Sequence, residues 1–472
     1  MALLLLLPAC PAPHRTPVPD DGDDRGADVD PDCSGTLELM SEAAGFVPGG
    51  LYTLTAGGLE GATYGWEVSV GSLSSAEGAE VTWTVPAELA AWSAEEAEIT
   101  LRATEAGCAD QQQTQTAEVD WPETSRVVVV YNPDVDGSQT VAEYYADFRG
   151  IDAICAAPTS DATTLYVAEI DPFLDTVQAC IDAVGPHVQY VVPVYGVPYK
   201  AEGRIYDLYY RTTLVTVSVD ALLVYGAAAK AFTQPTENQV YRRGDSDDQD
   251  YVPYKAFGLI RENLSADYYL VTRIDGESAT AAMDLVDRTA LAEQTELSGI
   301  VYVDGEYGDT PPATDVYGSY EWGEWNMWGT RYVFEDFGLY EVVWDGNTEE
   351  FGEAAPAPME CPDALYYAGW YWVHNYHDVF TWAPGAIGGH LDSFSASDLR
   401  GTSWSGEALK RGITATFGAV NEPYVTGMPE YDQFYLYLTQ GANYGEAAYE
   451  STTVGAWMMV WVGDPLYRPY PG

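Results

Sequence analysis

The chain has 472 residues, enough for two or three domains, and its 47% hydrophobic content supports a sizeable core and excludes global disorder. Lys and Arg total 20 against 73 Asp and Glu, a formal charge of -53, which repels a phosphate backbone or an anionic bilayer surface and so excludes nucleic acid as a partner. Self-repulsion of this size favours a soluble monomer in a salty or cation-rich setting.

Taken in chain order, residues 1–10 hold the apolar run Leu3-Leu4-Leu5-Leu6-Leu7, too short to span a bilayer. It ends Leu7-Pro8-Ala9-Cys10, which resembles the lipobox of bacterial lipoproteins. The resemblance implies export, acylation at Cys10, a place in the cell envelope or on the surface, and membrane attachment through the N-terminal lipid alone. Pro8 and the absence of Lys or Arg before the run depart from the usual pattern. Residues 11–32 carry prolines and then Asp20, Asp21, Asp23, Asp24, Asp28, Asp30 and Asp32 with little that is apolar, the composition of a disordered acidic tether.

From 33 to 121 the pattern becomes period-two, in Leu51–Leu54, Tyr64–Val68, Val81–Val85 and Ile99–Ala103, with Gly, Ser and Pro between the runs. This predicts a small all-β sandwich similar to the Ig-like modules of bacterial surfaces, acting as a spacer. After the hinge Trp121–Ser125, Val127–Tyr131 reads as a strand covered on both faces. A helix is expected over Ser138–Arg149 with Ser138 as N-cap, a strand near Ile151, a helix over 171–183 and a strand over Val188–Val192. Then come a short helix at 218–226, a strand at Tyr268–Thr272, a helix over 279–293 and strands at 300–303, 364–367, 385–390 and 413–418. Alternating strands and helices predict a large α/β domain with a mainly parallel sheet, divided into subdomains 126–260 and 261–472. Of six cysteines, Cys33 with Cys108 and Cys155 with Cys180 are spaced so that each pair could form a disulfide, leaving Cys361 over, although sequence alone does not fix the pairing.

Several segments of the large domain resemble an uncharacterised bacterial family of exported proteins. They are Val130-Tyr131-Asn132 with Glu143-Tyr144-Tyr145, Tyr195–Pro198, Ser218–Asp220, Thr272–Gly276, Gly412–Gly418 with Glu422-Pro423-Tyr424, and Gly463–Pro469. The closing Gly463-Asp464-Pro465 and the doubled α/β pattern are also similar to the gingipain-type cysteine peptidases, which implies a caspase-like fold. In that family a His follows a Gly at one strand end and a Cys follows the next strand. The corresponding places here are Gly369-Trp370 and the Ser393–Ser395 region. Trp is no base and Ser without a nearby base is a poor nucleophile, so cysteine-peptidase chemistry is not expected.

Loops after parallel strands are where open α/β sheets place ligands. Here they carry Asn132 and Ser138; Gly196 and Pro198; Arg273, Asp275 and Gly276; Asp304 and Glu306; and His390, Asp392, Ser393 and Ser395. Arg273, in a chain with few cations, either pairs with neighbouring carboxylates or grips a ligand's carboxylate or phosphate. His390-Leu391-Asp392-Ser393 offers a base and a hydroxyl, with Glu422 able to orient the base from across the sheet, the makings of a hydrolase. The expected cleft is lined by Asn132, Arg273, Asp275, Gly276, Gly369 and Trp370, with His390, Ser393 and Glu422 in any chemical role and a peptide or glycan as ligand. Asn132, Asp134, Asp136 and Glu143 match the oxygen spacing of a calcium loop, although a strand and not a helix precedes them. His374 and His377 would share a helical face but lack a third metal ligand. Trp322, Trp325 and Trp328 recur at helical spacing, as core or as a sugar-stacking stripe, and Tyr366, Tyr367, Trp370, Tyr371 and Trp372 are the better candidates for a cleft wall.

Overall fold

The computed structural model describes residues 35–41, 43, 45–242, 252–264, 267–312, 316–370, 373 and 375–471. Cys10, the acidic tether and Cys33 lie outside these residues. The chain forms two compact units: a small one that includes Leu51–Thr84 and Ala97–Thr116, and a large one made of Gly45–Gly50, Val85–Glu96 and Ala117–Gly472.

The small unit is all antiparallel. One sheet runs in the order Glu38–Ser41, Leu51–Gly57, Glu80–Thr84, Ser72–Leu73; the other in the order Thr63–Val68, Glu95–Thr104, Gln111–Val119. Alternation is plain in the segment Ala97–Thr104, where Ala97, Ile99, Leu101 and Ala103 are buried and the residues between them face outward. A sheet with one solvated face needs this period of two.

The large unit is built on two mainly parallel sheets. Four strands lie in the order Ile154–Ala156, Val127–Tyr131, Tyr190–Pro193, Leu270–Val271, all parallel. Six lie in the order Glu341–Asp345, Ile300–Asp304, Cys361–Gly369, Phe380–His390, Ala415–Ala419, Met459–Val462. Only the last pair of these six is antiparallel. A parallel bridge between Arg273 and Val462 ties the two sheets, with the Arg273 N–H donating to Trp461 O at 2.8 Å and the Gly463 N–H to Arg273 O at 2.9 Å. Val127 to Val130 are all at most 1% exposed, as expected of a strand covered on both faces.

Several expectations are corrected in detail. The helix Ser138–Arg149 has the expected bounds, but Gly137, at φ 82, is its N-cap. The Ser138 hydroxyl accepts instead from the Asn132 N–H at 3.0 Å. The strand at 270–271 pairs with Tyr190–Pro193, and a parallel bridge of Ile274 to Val194 carries the pairing further. Edge strands Glu341–Asp345 and Met459–Val462 and helices Tyr431–Thr439 and Tyr444–Glu450 were not anticipated. The last helix has an Asn443/Glu446 capping box, a signal present in the sequence. Cys155 and Cys180 form a disulfide that staples the edge strand to the helix Val167–Val184, and Cys361 is free and buried.

Candidate functional site

The loops at the ends of the four-stranded sheet are closed by internal bonds. Asn132 is fully buried; its Nδ2 donates to Thr159 Oγ1 at 2.7 Å and to Gly196 O at 3.2 Å, and its Oδ1 accepts from the Asp134 and Thr159 N–H groups. Gly196 sits at φ 95, and a Cβ there would meet Ser138 Cβ at 2.9 Å, so only glycine lets these two loops approach. Arg273 is likewise fully buried. Its guanidinium forks onto Asp220 at 2.9 and 2.7 Å, donates to Asp275 at 2.6 Å, and reaches the carbonyls of Val197 and Pro198. Arg400 closes the other side of Asp275 with two bonds of 2.8 Å. Burial opposes the charge on Arg273, but Asp220 and Asp275 outweigh it and hold the guanidinium above its ordinary pKa. With every nitrogen occupied, Arg273 has nothing left for a ligand, and Asp275 and Gly276 are buried beside it. These residues join loops; they do not line a cleft.

At the ends of the six-stranded sheet His390 is fully buried. Its Nδ1 lies 3.0 Å from the Tyr367 hydroxyl, its Nε2 lies 3.7 Å from Glu350 Oε1, and its ring stacks on Trp404. Burial, with a contribution from His377, lowers its pKa to about 3, so it is neutral. Around it stands a set of buried carboxyls: Asp304, Glu324 and Glu350. Burial drives Asp304 well above the ordinary carboxyl value, with Asp345, Glu350 and Glu324 adding to the shift, and raises Glu350 to about 8. Glu324 accepts from Trp370 Nε1 at 2.8 Å and from the N–H groups of Glu306 and Tyr307. Trp370 is therefore a buried brace at 2% exposure, and Gly369 lets the Tyr367 hydroxyl reach His390 where a Cβ would collide with it. Tyr366 and Tyr367 are each 1% exposed, so they are core and not cleft wall; Tyr371 and Trp372 lie outside the described residues.

The open space is elsewhere. A cavity of about 470 Å³ lies where the loops after Phe380–His390 and Ala415–Ala419 meet the start of the helix Tyr320–Phe337. Ser393, Glu422, Tyr424, Tyr209, Tyr320 and Glu321 are among its lining residues. Its loops are cross-tied: the Phe394 N–H donates to Asn421 O at 3.0 Å, and Ser395 Oγ donates to Asp392 O and accepts from the Ala419 N–H, each at 3.0 Å. Two residues beside it, Phe394 at φ 66 and Tyr424 at φ 60, hold left-handed backbone that costs bulky side chains energy. Glu422 Oε1 supports the second by accepting the Tyr424 N–H at 3.1 Å. Tyr424 stands edge-on to Tyr209 at 4.6 Å and donates to Asp207 at 3.0 Å. Burial and that bond push its hydroxyl up to about 12.

The structure thus brings Ser393 and Glu422 to one cavity and leaves His390 out of it. No hydrogen bond joins His390 to Ser393, and the Ser393 hydroxyl bonds to no other described residue. Asn132 is committed as described, Glu143 accepts from Gln139 at 2.8 Å, and among the described residues no three His, Cys, Asp or Glu side chains converge to hold a metal. His377 contacts Glu350 at 3.1 Å on an irregular segment, not a helix, and His374 lies outside the described residues. Trp322, Trp325 and Trp328 do lie on a helix, where Trp322 and Trp325 bond to Glu430 and Pro312 and Trp328 is buried against Trp344. Sequence reasoning missed Tyr209, Tyr320 and Glu321; an exposed Tyr209-Tyr210 pair in a loop was the available signal.

The chain matches no protein-family model and no curated protein. Among solved structures it is similar to one described as a protease, with TM-score 0.36 and 11% identity over 75% of this chain and 80% of that one. It is also similar to a sialyltransferase from Photobacterium damsela, with TM-score 0.18 and 10% identity over 69% and 78%. A nucleoside hydrolase-related hypothetical protein from Saccharophagus degradans matches at TM-score 0.15 and 12% identity, over 18% of this chain and 25% of that one. At these scores none of the three bears on the fold or the activity.

Proposed function

We propose that the chain is an exported, lipid-anchored surface protein whose large unit binds a ligand in the Ser393–Glu422 cavity. The observation that carries this reading is the cavity itself, set where the ends of parallel strands meet and flanked by two strained residues. Export, acylation at Cys10 and the family resemblance rest on the sequence segments that suggest them. No described helix is long and apolar enough to cross a membrane. The two antiparallel sheets of the small unit support an Ig-like spacer. For the large unit, the chain order of its strands across the two sheets supports a caspase-like reading: the first four lie as second, first, third, fourth, and the remaining six as second, first, third, fourth, fifth, sixth.

A ligand-observed NMR fragment screen on the full chain, beside Tyr209→Ala and Glu422→Gln, tests the binding reading. Both positions are partly exposed, so the variants retain the fold. Hits that weaken in either variant support the reading, and the absence of variant-sensitive hits refutes it. Labelling with radioactive palmitate, lost in Cys10→Ala, tests the anchor.

A further inference from the structure

The chemistry of the cavity wall allows a narrower statement, which rests on the cavity being a binding site. Glu321, Asp392 and Glu422 line it, and none of its described lining residues carries positive charge. An anionic ligand would meet carboxylates with no cation among the described lining residues to offset them. Tyr209, Tyr320 and Tyr424 line it with aromatic rings, and Tyr209 is 60% exposed. Tyrosine faces attract a desolvated organic cation through the ring quadrupole. Leu391, Pro423, Val425 and Met428 give apolar surface for the alkyl part of such a ligand.

A second observation points the same way. Ser393 is only 8% exposed, lines the cavity and makes no hydrogen bond with another described residue. Ser393 thus leaves a hydroxyl free to bond a ligand's own polar group. Tyrosine rings, carboxylate oxygens and that hydroxyl around an apolar floor are complementary to a positively charged head on a short aliphatic stem. We infer that the cavity binds an alkylammonium group.

Isothermal titration calorimetry on the full chain tests this with four probes: choline, ethanolamine, the uncharged carbon isostere of choline (3,3-dimethylbutanol), and 3,3-dimethylbutyrate. The expected result is that choline or ethanolamine binds at least about tenfold more tightly than the neutral isostere, with the butyrate weakest. Glu422→Gln, which keeps the oxygen that holds the Tyr424 turn, should lower the preference several-fold, since Glu321 and Asp392 remain. Tyr209→Ala should weaken the cation several-fold. Choline ahead of ethanolamine assigns a quaternary head, and the reverse order a primary amine. Equal or tighter binding of the isostere, a cation preference unmoved by Glu422→Gln, or no cation binding overturns the inference. Variant-sensitive fragment hits alongside such a result would leave the cavity a binding site for another class of ligand.

Discussion

Arg273→Met removes the centre of a buried charge network, and its cost separates a structural Arg273 from a ligand-gripping one. Asp275 keeps two bonds from Arg400, but Asp220 loses the only cation bonded to it among the described residues while remaining fully buried. Breaking a buried pair in this way costs about 3–5 kcal/mol. For a unit of roughly 370 residues, with an unfolding entropy of about 2 cal/mol/K per residue, that is a fall in Tm of about 4–7 °C. Differential scanning calorimetry of the full chain reads the shift in the transition of the large unit. Arg273→Met with Asp220→Leu, which removes the orphaned carboxylate, should recover most of the loss. A loss below about 1 kcal/mol for the single variant, or a double variant no better than the single, would refute the reasoning.

Replacing both Cys155 and Cys180 by Ala opens a loop with a sequence separation of 25 and should cost about 3 kcal/mol, seen as a lower urea midpoint that reductant reproduces in the parent chain. Glu450 is fully buried, with the Arg242 guanidinium 3.7 Å from its carboxyl, and burial raises it to about 9 from an ordinary 4.5. The folded state therefore holds a proton that the unfolded state releases, so this stabilisation is complete below about pH 4.5 and is lost as pH rises towards 9. Glu450→Gln should flatten the decline of the urea midpoint between pH 6 and 9, and an unchanged slope would count against a neutral Glu450. His390, lowered to about 3, acts in the opposite sense, and its contribution is lost as pH falls from 6.5 towards 3. Ser393→Ala breaks no hydrogen bond to another described residue and should change stability by less than about 0.5 kcal/mol while weakening cavity ligands; a larger loss of stability would assign Ser393 a structural role.

Much of the scaffold was legible because periodicity reports burial. The valine run at 127–130 and the alternation in 97–103 translated directly into a doubly covered strand and a half-solvated one. The helices with clear starts, such as Ser138–Arg149 and Ala279–Gln294, followed too. The edge strand Glu341–Asp345 was not legible, since its half-exposed Glu-Val-Val-Trp-Asp resembles a loop until a neighbouring strand pairs with it.

The candidate site was legible only in part. Strand-end polarity led to Ser393 and Glu422, which do reach one cavity, but also to Asn132, Arg273 and His390, which turn inward. Sequence cannot distinguish those two fates, because the partners that consume them are distant: Asp220 for Arg273, Gly196 for Asn132, and Tyr367 and Glu350 for His390. Tyr209 and Tyr320 reach the cavity from segments far apart in the chain, which no local pattern reports.

The central claim is that ligands enter the Ser393–Glu422 cavity and not the buried surroundings of His390. The most direct test is a crystal structure of the full chain soaked with the fragment hits. The account predicts bound density between Tyr209, Ser393 and Glu422, with the His390–Tyr367 contact intact. Density only at other sites, or a ligand bonded to His390, would contradict it.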